Sequence, residues 1–185
     1  MSKKAAVATT PESVSVFKEQ LATYKEVIDT DITSYVVSLQ SQTAEQFGDN
    51  SKRAVNAYTE ILSRGGKRIR GALSMLAYTT FGGNDEEVAI TAARAIEMVQ
   101  AYLLITDDIA DRSASRRGGP SAHELLKSWH KKNHLKDDSK HFGESIAMNA
   151  AMMGGHAAMI LISDLSVSPE IRVNALRTLN KNLIV

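Results

Sequence analysis

The spacing of apolar residues in the first part of the chain constrains the fold most strongly. Residues 13–40 carry apolar side chains every three to five positions: Val16, Leu21, Tyr24, Ile28, Ile32, Tyr35 and Leu39. This period belongs to one face of an α-helix, and the alternation typical of strands is almost absent from the chain. The three prolines stand at boundaries between periodic segments. The pattern therefore predicts an all-α fold.

The same periodicity, with its stop and cap residues, predicts seven helices. They are expected at residues 13–40, 51–62, 67–80, from the cap at Asn84 or Asp85 to 112, 121–131, 144–162 and from 169 onward. Glycines in "RGG" and "FGGND" end the second and third helices. Residues 1–12 are expected to be a disordered tail, and residues 13–185 to form part of a single domain. The last helical pattern is unbroken at Val185, which suggests a truncated chain.

Charge and composition argue against several classes of protein. Lys and Arg number 22 against 21 Asp and Glu, so the basic excess of a nucleic-acid-binding protein is missing. The chain has no cysteine, which excludes disulfides and thiolate metal sites and favours a cytoplasmic location. The N-terminus lacks an apolar segment of signal-peptide length. The most apolar stretch, residues 145–162, is interrupted by Asn149 and His156, and is expected to be a buried helix rather than a membrane span.

An acidic cluster follows the apolar run "AYLLI" near the end of the fourth helix. Helical spacing allows Asp107, Asp108 and Asp111 to converge on one side. Their mutual repulsion would be relieved by a divalent cation, and carboxylate oxygens suit Mg²⁺. A solvated helix end with surface acids is the simpler interpretation of such a short motif. The adjoining apolar run favours instead the mouth of a pocket.

Two basic clusters and one glutamine are candidates for binding an anion. Lys67 and Arg70 follow a double glycine and share a helix face near a helix N-terminus. Arg116 and Arg117 form a second cationic point, with planar donors that suit phosphate oxygens. Gln100 lies nearly two turns before Asp107 on the same face. Taken alone, the pair of Lys67 and Arg70 is better explained as ordinary surface charge, and Gln100 as a core-edge amide.

The histidines and methionines give weaker signals. His130 and His134 have a spacing seen in metal sites, but a solvated connector is the better interpretation because no third ligand is obvious. His156 is expected to be a hydrogen-bonded core residue. The four methionines in the same segment are expected to be core residues that could also line an apolar cavity: Met148, Met152, Met153 and Met159.

Three motifs together resemble the trans-isoprenyl diphosphate synthases, the polyprenyl synthetase family that includes farnesyl and geranylgeranyl diphosphate synthases. They are "GGKRIR", "EMVQAYLLITDDIAD" and "RRGGPSAH", in the family's order. The resemblance covers residues 51–163 well. It implies an antiparallel helical bundle of the isoprenoid synthase type, and a homodimer. It also implies a prenyltransferase that condenses isopentenyl diphosphate with an allylic diphosphate.

The resemblance assigns roles to the candidate residues. Asp107, Asp108 and Asp111 would hold Mg²⁺ against the allylic diphosphate, which Arg116 would also contact. The diphosphate of isopentenyl diphosphate would be held by a basic set: Lys67, Arg70, Gln100 and Arg117. Tyr102 and Leu103 would influence product length, with Tyr102 favouring a short C15 or C20 product.

The chain also departs from the family pattern. A second aspartate-rich motif, a later lysine and a Gly-Gln element are missing, and "GGH" stands where family members commonly carry Gly-Asp. The chain is therefore expected to be the N-terminal portion of a synthase, with its C-terminal helices missing, and to be inactive or very poor alone. It would expose apolar surface where those helices pack.

The sequence leaves two other functions open. The chain could be a non-catalytic partner of a complete synthase, although such a partner has no need of a full substrate face. A terpene cyclase or head-to-head synthase also uses aspartate-rich helices. "GGKRIR" argues against that class, because it suits a second, homoallylic diphosphate.

Overall fold

A computed structural model describes residues 11–183 of the chain and confirms the all-α prediction. Over this range the chain forms six helices and one short hairpin. The helices are α1 (Pro11–Ser63), α2 (Ile69–Thr80), α3 (Glu86–Ala110), α4 (Ala122–Lys132), α5 (Ser139–Ser163) and α6 (Pro169–Lys181). The hairpin pairs β1 (Ser115–Arg116) with β2 (Gly119–Pro120) in antiparallel fashion. The hairpin was not predicted from the sequence.

Helix α1 combines the first two predicted helices. The connector expected at residues 41–50 is helical except at Gly48, where φ 77° and ψ 179° break the element into two helical segments. A positive φ is readily adopted by glycine, so the break falls where the sequence permits it. The predicted tail at residues 1–12 lies outside the described residues apart from Pro11 and Glu12, which belong to α1.

Side-chain caps explain where α3 and α5 begin. Asp85 is the cap of α3 and accepts a hydrogen bond from the Val88 amide at 3.2 Å. Helix α5 begins at Ser139, earlier than predicted, because the Asp138 carboxylate accepts from the Lys140 amide at 2.8 Å. Part of the segment expected to be a polar connector is therefore helical.

Helices α3 and α5 form the centre of the bundle. Helix α3 packs against α1, α2 and α5, and α5 also contacts α1, α4 and α6. Tyr58 of α1 is fully buried between them and donates a hydrogen bond to the Met98 carbonyl at 2.8 Å. Gly154 of α5 faces the Tyr58 ring so closely that a methyl group there would overlap it. This contact explains one of the two adjacent glycines in α5.

Several residues lie elsewhere than the sequence suggested. His156 is exposed and not a core residue, and Met148 and Met152 are 36% and 48% exposed. His130 is buried, where a solvated connector was expected, and its Nε2 lies 2.9 Å from the Lys136 carbonyl. These errors share one cause: the period of a helix does not say which neighbours cover each face.

Two helices, α3 and α5, are long and apolar enough to span a membrane by length and composition. In the most apolar 18-residue window of each helix, 56% of the window in α3 and 33% of the window in α5 is buried within the protein. Core helices of soluble proteins have the same properties, so this finding is weak support for a membrane span.

Candidate functional site

The predicted anion-binding residues converge on one pocket of about 350 Å³. Its lining includes all five of them: Lys67, Arg70, Gln100, Arg116 and Arg117. They come from the start of α2, the middle of α3 and the hairpin, so tertiary packing brings together segments that are far apart in the sequence. Concentrating this much positive charge in one concave surface produces a site suited to a multiply charged anion.

Arg68 anchors the loop that carries Lys67 and Arg70. Its backbone has φ 48°, and its side chain is almost fully buried. The guanidinium donates to Asp29 of α1 at 2.8 Å and to the Leu62 carbonyl at 2.8 Å. Lys67 and Arg70, by contrast, are exposed. Arg68 is therefore held in the interior, while Lys67 and Arg70 remain exposed at the pocket.

Glu97 joins the loop to α3. This residue is 4% exposed, and its Oε2 accepts from Arg68 at 3.2 Å. Its Oε1 accepts from the Gly71 amide at 3.1 Å, which satisfies one of the free amides at the start of α2. Gln100 lies one turn further along α3, so the same carboxylate sets the distance between Gln100 and the basic loop.

Sequence reasoning missed both Arg68 and Glu97, although each lies within a motif that it identified. A signal was available for Glu97, which is the only charged residue in the mainly apolar stretch "AIEMVQAYLLI". A carboxylate in such a stretch needs a partner when it is buried, and the partner must be found in the tertiary structure.

The hairpin presents Arg116 and Arg117. Its two-residue turn, Arg117–Gly118, has φ values of 51° and 78°, which is the pattern of a type I′ turn. Arg117 donates to the Ile61 carbonyl of α1 at 3.2 Å. Burial lowers the pKa of Arg117, and the nearby positive charge of Arg68 lowers it further. Charge repulsion of this kind would be relieved by a bound anion.

The three aspartates differ in their exposure, and their convergence on a metal ion stays a prediction. Asp108 is fully buried and accepts from Nε of Arg116 at 2.8 Å, whereas Asp107 and Asp111 are exposed and one turn apart. A second guanidinium nitrogen of Arg116 also contacts Asp108, and lies 3.4 Å from Asp107. The hydrogen bond to Asp108 is the main cause that raises the pKa of Arg116. Within residues 11–183 no three His, Cys, Asp or Glu residues form a group ready to hold a metal ion.

A second pocket, of about 490 Å³, adjoins the first along α3. It shares Gln100 and Leu104 with the basic pocket and extends past Leu103 to Asp107 and Ala110. The two cavities thus lie side by side, one lined by cations and one lined mainly by apolar groups with a carboxylate at its far end. This arrangement could hold two ligands in contact.

Comparison with known families identifies the protein family of this chain. Residues 51–184, more than half of the chain, match the model of the polyprenyl synthetase family. The chain belongs to the polyprenyl synthetase family. The family resemblance that the three motifs indicated is thereby confirmed.

Several polyprenyl synthetase relatives match over different lengths. Farnesyl diphosphate synthase of Geobacillus stearothermophilus is 28% identical over 162 residues, which are 85% of this chain and 46% of that protein. The short chain isoprenyl diphosphate synthase of Methanocaldococcus jannaschii is 41% identical over 75 residues, 40% of this chain and 23% of that protein.

A solved structure supports the same fold. Geranylgeranyl pyrophosphate synthase from Corynebacterium glutamicum, complexed with isoprenyl diphosphate and magnesium, superposes with a TM-score of 0.72 at 30% identity. The match covers 80% of this chain and 43% of that chain. This polyprenyl synthetase chain thus spans less than half the length of these three relatives.

The acidic end of α3 fits Mg²⁺ in its donor chemistry. Asp107 and Asp111 offer exposed carboxylates one turn apart, and hard oxygen ligands suit this ion. Asp108 Oδ2 is buried and has no hydrogen-bond partner, although Oδ1 is held by Arg116. Asp107 and Asp111 are therefore exposed to solvent at this end of α3, while one carboxylate oxygen of Asp108 is bound by Arg116.

The two residues assigned to product length occupy different surroundings in this polyprenyl synthetase. Leu103 is 40% exposed and lines the apolar pocket. Tyr102 is half-buried, and its ring faces Gly155 of α5. Their influence on product length stays a prediction, and of the two it is Leu103 whose side chain borders the cavity.

Proposed function

We propose that this chain provides the homoallylic-diphosphate pocket and the first aspartate-rich motif of a Mg²⁺-dependent short-chain prenyltransferase. The enzyme would condense isopentenyl diphosphate with an allylic diphosphate to a C15–C20 product. One observation carries the proposal: Lys67, Arg70, Gln100 and Arg117 line one pocket that adjoins an apolar pocket ending at Asp107. Membership of the polyprenyl synthetase family supports the same reaction.

The pocket residues would act mainly by positioning the two substrates and by supplying positive charge to their diphosphates. Lys67, Arg70 and Arg117 would hold the diphosphate of isopentenyl diphosphate, with Gln100 as an additional neutral donor. Leu103 and Leu104 would keep the prenyl chain in apolar surroundings. Mg²⁺, when bound by the aspartates, would neutralise charge on the leaving diphosphate. Arg116 would add a cation on that side.

The bond changes follow from this arrangement. The C–O bond of the allylic diphosphate breaks, and the double bond of isopentenyl diphosphate supplies the electron pair for the new C–C bond. A proton then leaves to the departing diphosphate, which restores a neutral hydrocarbon chain. The apolar side chains of α3 would cover one side of the allylic cation and so reduce its contact with water.

We further infer that this chain alone has little or no activity, because it spans less than half of the relatives it matches. Pairing as a homodimer or with a complete synthase, and a cytoplasmic location, stay predictions from the sequence. A non-catalytic partner role is the alternative that the assays below distinguish.

Calorimetric binding of isopentenyl diphosphate to this chain tests the pocket. Lys67→Ala should weaken binding by at least about tenfold, since it removes a cation that contacts the ligand. Lys140→Ala is the matched control, because Lys140 is exposed on α5 and pairs with Glu144 at 3.7 Å, away from the pocket. Equal affinity of the two variants, or no binding by the wild type, would refute the proposal.

Incorporation of labelled isopentenyl diphosphate tests the reaction. Mg²⁺-dependent product that is lost in Asp107→Ala is the expected result for a version of the chain extended to the full length of its relatives. Product formed only when a separate complete synthase is added, and unaffected by Asp107→Ala, would favour the partner role.

A further inference from the structure

Arg64, the residue after the last position of α1, contacts the hairpin from outside the pocket. Its guanidinium donates to the Arg116 carbonyl at 3.0 Å and to the Pro120 carbonyl at 2.6 Å. Its Nε also donates to Glu60 at 3.2 Å, and the side chain is only 13% exposed. One arginine therefore holds a carbonyl from each strand of the hairpin.

The fit between Arg64 and the hairpin depends on a glycine. A Cβ at Gly119 would lie 2.6 Å from Cζ of Arg64, inside van der Waals contact. The φ of Gly119 is not in the left-handed region, so backbone conformation does not require a glycine at this position. The absent side chain instead lets the guanidinium lie against the strand.

The hairpin needs such support. Each strand has two residues, which is shorter than the strands of ordinary sheets, and a hairpin of two strands is at best marginally stable alone. The Arg117 side chain donates to Ile61 of α1 and the Arg116 side chain to Asp108 of α3, whereas the backbone carbonyls of both strands are bound by Arg64. We propose that Arg64 is a positioning residue: it fixes the hairpin to α1 and thereby presents Arg116 and Arg117 to the diphosphate pocket. This inference rests on the proposed function.

Amide hydrogen exchange tests the structural half of the proposal without any ligand. Arg64→Ala should accelerate exchange of the Ser121 amide, which closes the hairpin by donating to Ala114 at 3.1 Å. Gly119→Ala should do the same, because its methyl displaces the guanidinium. If both act through one contact, the double variant should resemble the single variants.

Arg172→Ala is the matched control. Arg172 also donates to a backbone carbonyl, that of Ser163 at 3.1 Å, but it lies on α6, away from the pocket. Its replacement should leave exchange at Ser121 unchanged. Equal exchange at Ser121 in wild type and Arg64→Ala would overturn the proposal.

Calorimetry with inorganic pyrophosphate tests the functional half. Arg64→Ala should weaken pyrophosphate binding by about tenfold, Arg64→Lys should restore part of the loss, and Arg172→Ala should bind as the wild type does. Unchanged affinity in Arg64→Ala, while Lys67→Ala still weakens binding, would overturn this inference and leave the proposed function standing. Failure of the wild type to bind pyrophosphate would overturn both.

Discussion

Arg68 donates to Asp29 of α1 and to Glu97 of α3, and we make a separate prediction for each of the two contacts. Glu97→Gln removes the negative charge beside the buried Arg68 and keeps one acceptor oxygen, so the new amide nitrogen must face one of the two donors, Arg68 or the Gly71 amide. We expect the free energy of unfolding to fall by about 3 kcal/mol, as for other buried ion pairs that lose one partner. Urea denaturation of the two proteins measures this difference.

Glu144→Gln is the control for that substitution. Its pair with Lys140 is partly exposed, so the change should lower the free energy of unfolding by less than about 1 kcal/mol. Equal effects of the two substitutions would show that burial of the Arg68–Glu97 pair has no energetic consequence.

Asp29 makes stability depend on pH. Partial burial raises its pKa, but hydrogen bonds from Lys25 and Arg68 outweigh that effect and leave the pKa below its ordinary value of 3.8. The folded state therefore binds fewer protons than the unfolded state just below pH 3.8, so this stabilisation is present above that pH and is lost as pH falls through the lowered pKa.

Asp29→Asn isolates this contribution. The difference in unfolding free energy between wild type and variant should be constant above about pH 5 and should shrink below the ordinary aspartate pKa. Denaturant titrations at several pH values measure it. A difference that stays constant down to pH 2 would contradict the assigned cause.

At the scale of single elements, α5 provides a direct comparison of two adjacent glycines. Gly154 meets the buried Tyr58 ring within overlap distance, whereas a Cβ at Gly155 would lie 3.6 Å from Tyr102, an ordinary contact. Gly154→Ala should therefore destabilise the protein by about 2 kcal/mol through overpacking. Gly155→Ala should stabilise it by up to about 1 kcal/mol, because alanine favours the helix.

Thermal and urea unfolding of these two variants is a matched pair of measurements. Both substitutions add one methyl group to the same helix, so any difference in sign reports the packing between α1 and α5. Destabilisation by both to the same extent would indicate that helix α5 tolerates neither methyl and that the Tyr58 contact is not the deciding one.

At the scale of the whole molecule, the helices differ in how strongly they are held. Helix α3 contacts α1, α2 and α5 and contains many buried residues, whereas α6 packs mainly on α5 and has none of its residues buried. Amides in α6 should therefore exchange through local opening and far faster than those in the middle of α3, which should exchange only on global unfolding. Exchange followed by mass spectrometry measures both, and equal rates would contradict this order.

Much of the fold and part of the site could be predicted from the sequence. The helices follow from the apolar period and from caps such as Asp85, because both signals act within a few residues. The five residues predicted to bind an anion were found within motifs, and the structure places them around one pocket. Their roles in binding stay predictions until the variants are measured.

Other features of the site depended on which surfaces of the helices and the hairpin pack against each other. The burial of Arg68 and Glu97, the hold of Arg64 on the hairpin and the turn of Asp108 towards Arg116 each join residues from different elements. The exposure of His156 follows from the same kind of contact, since it depends on which face of α5 is covered. By itself, therefore, the sequence determined the helices and the chemical character of the pocket. Only the tertiary structure decided which charged groups are buried as anchors and which are left free to bind, because that choice is made by the packing of helices distant in the chain.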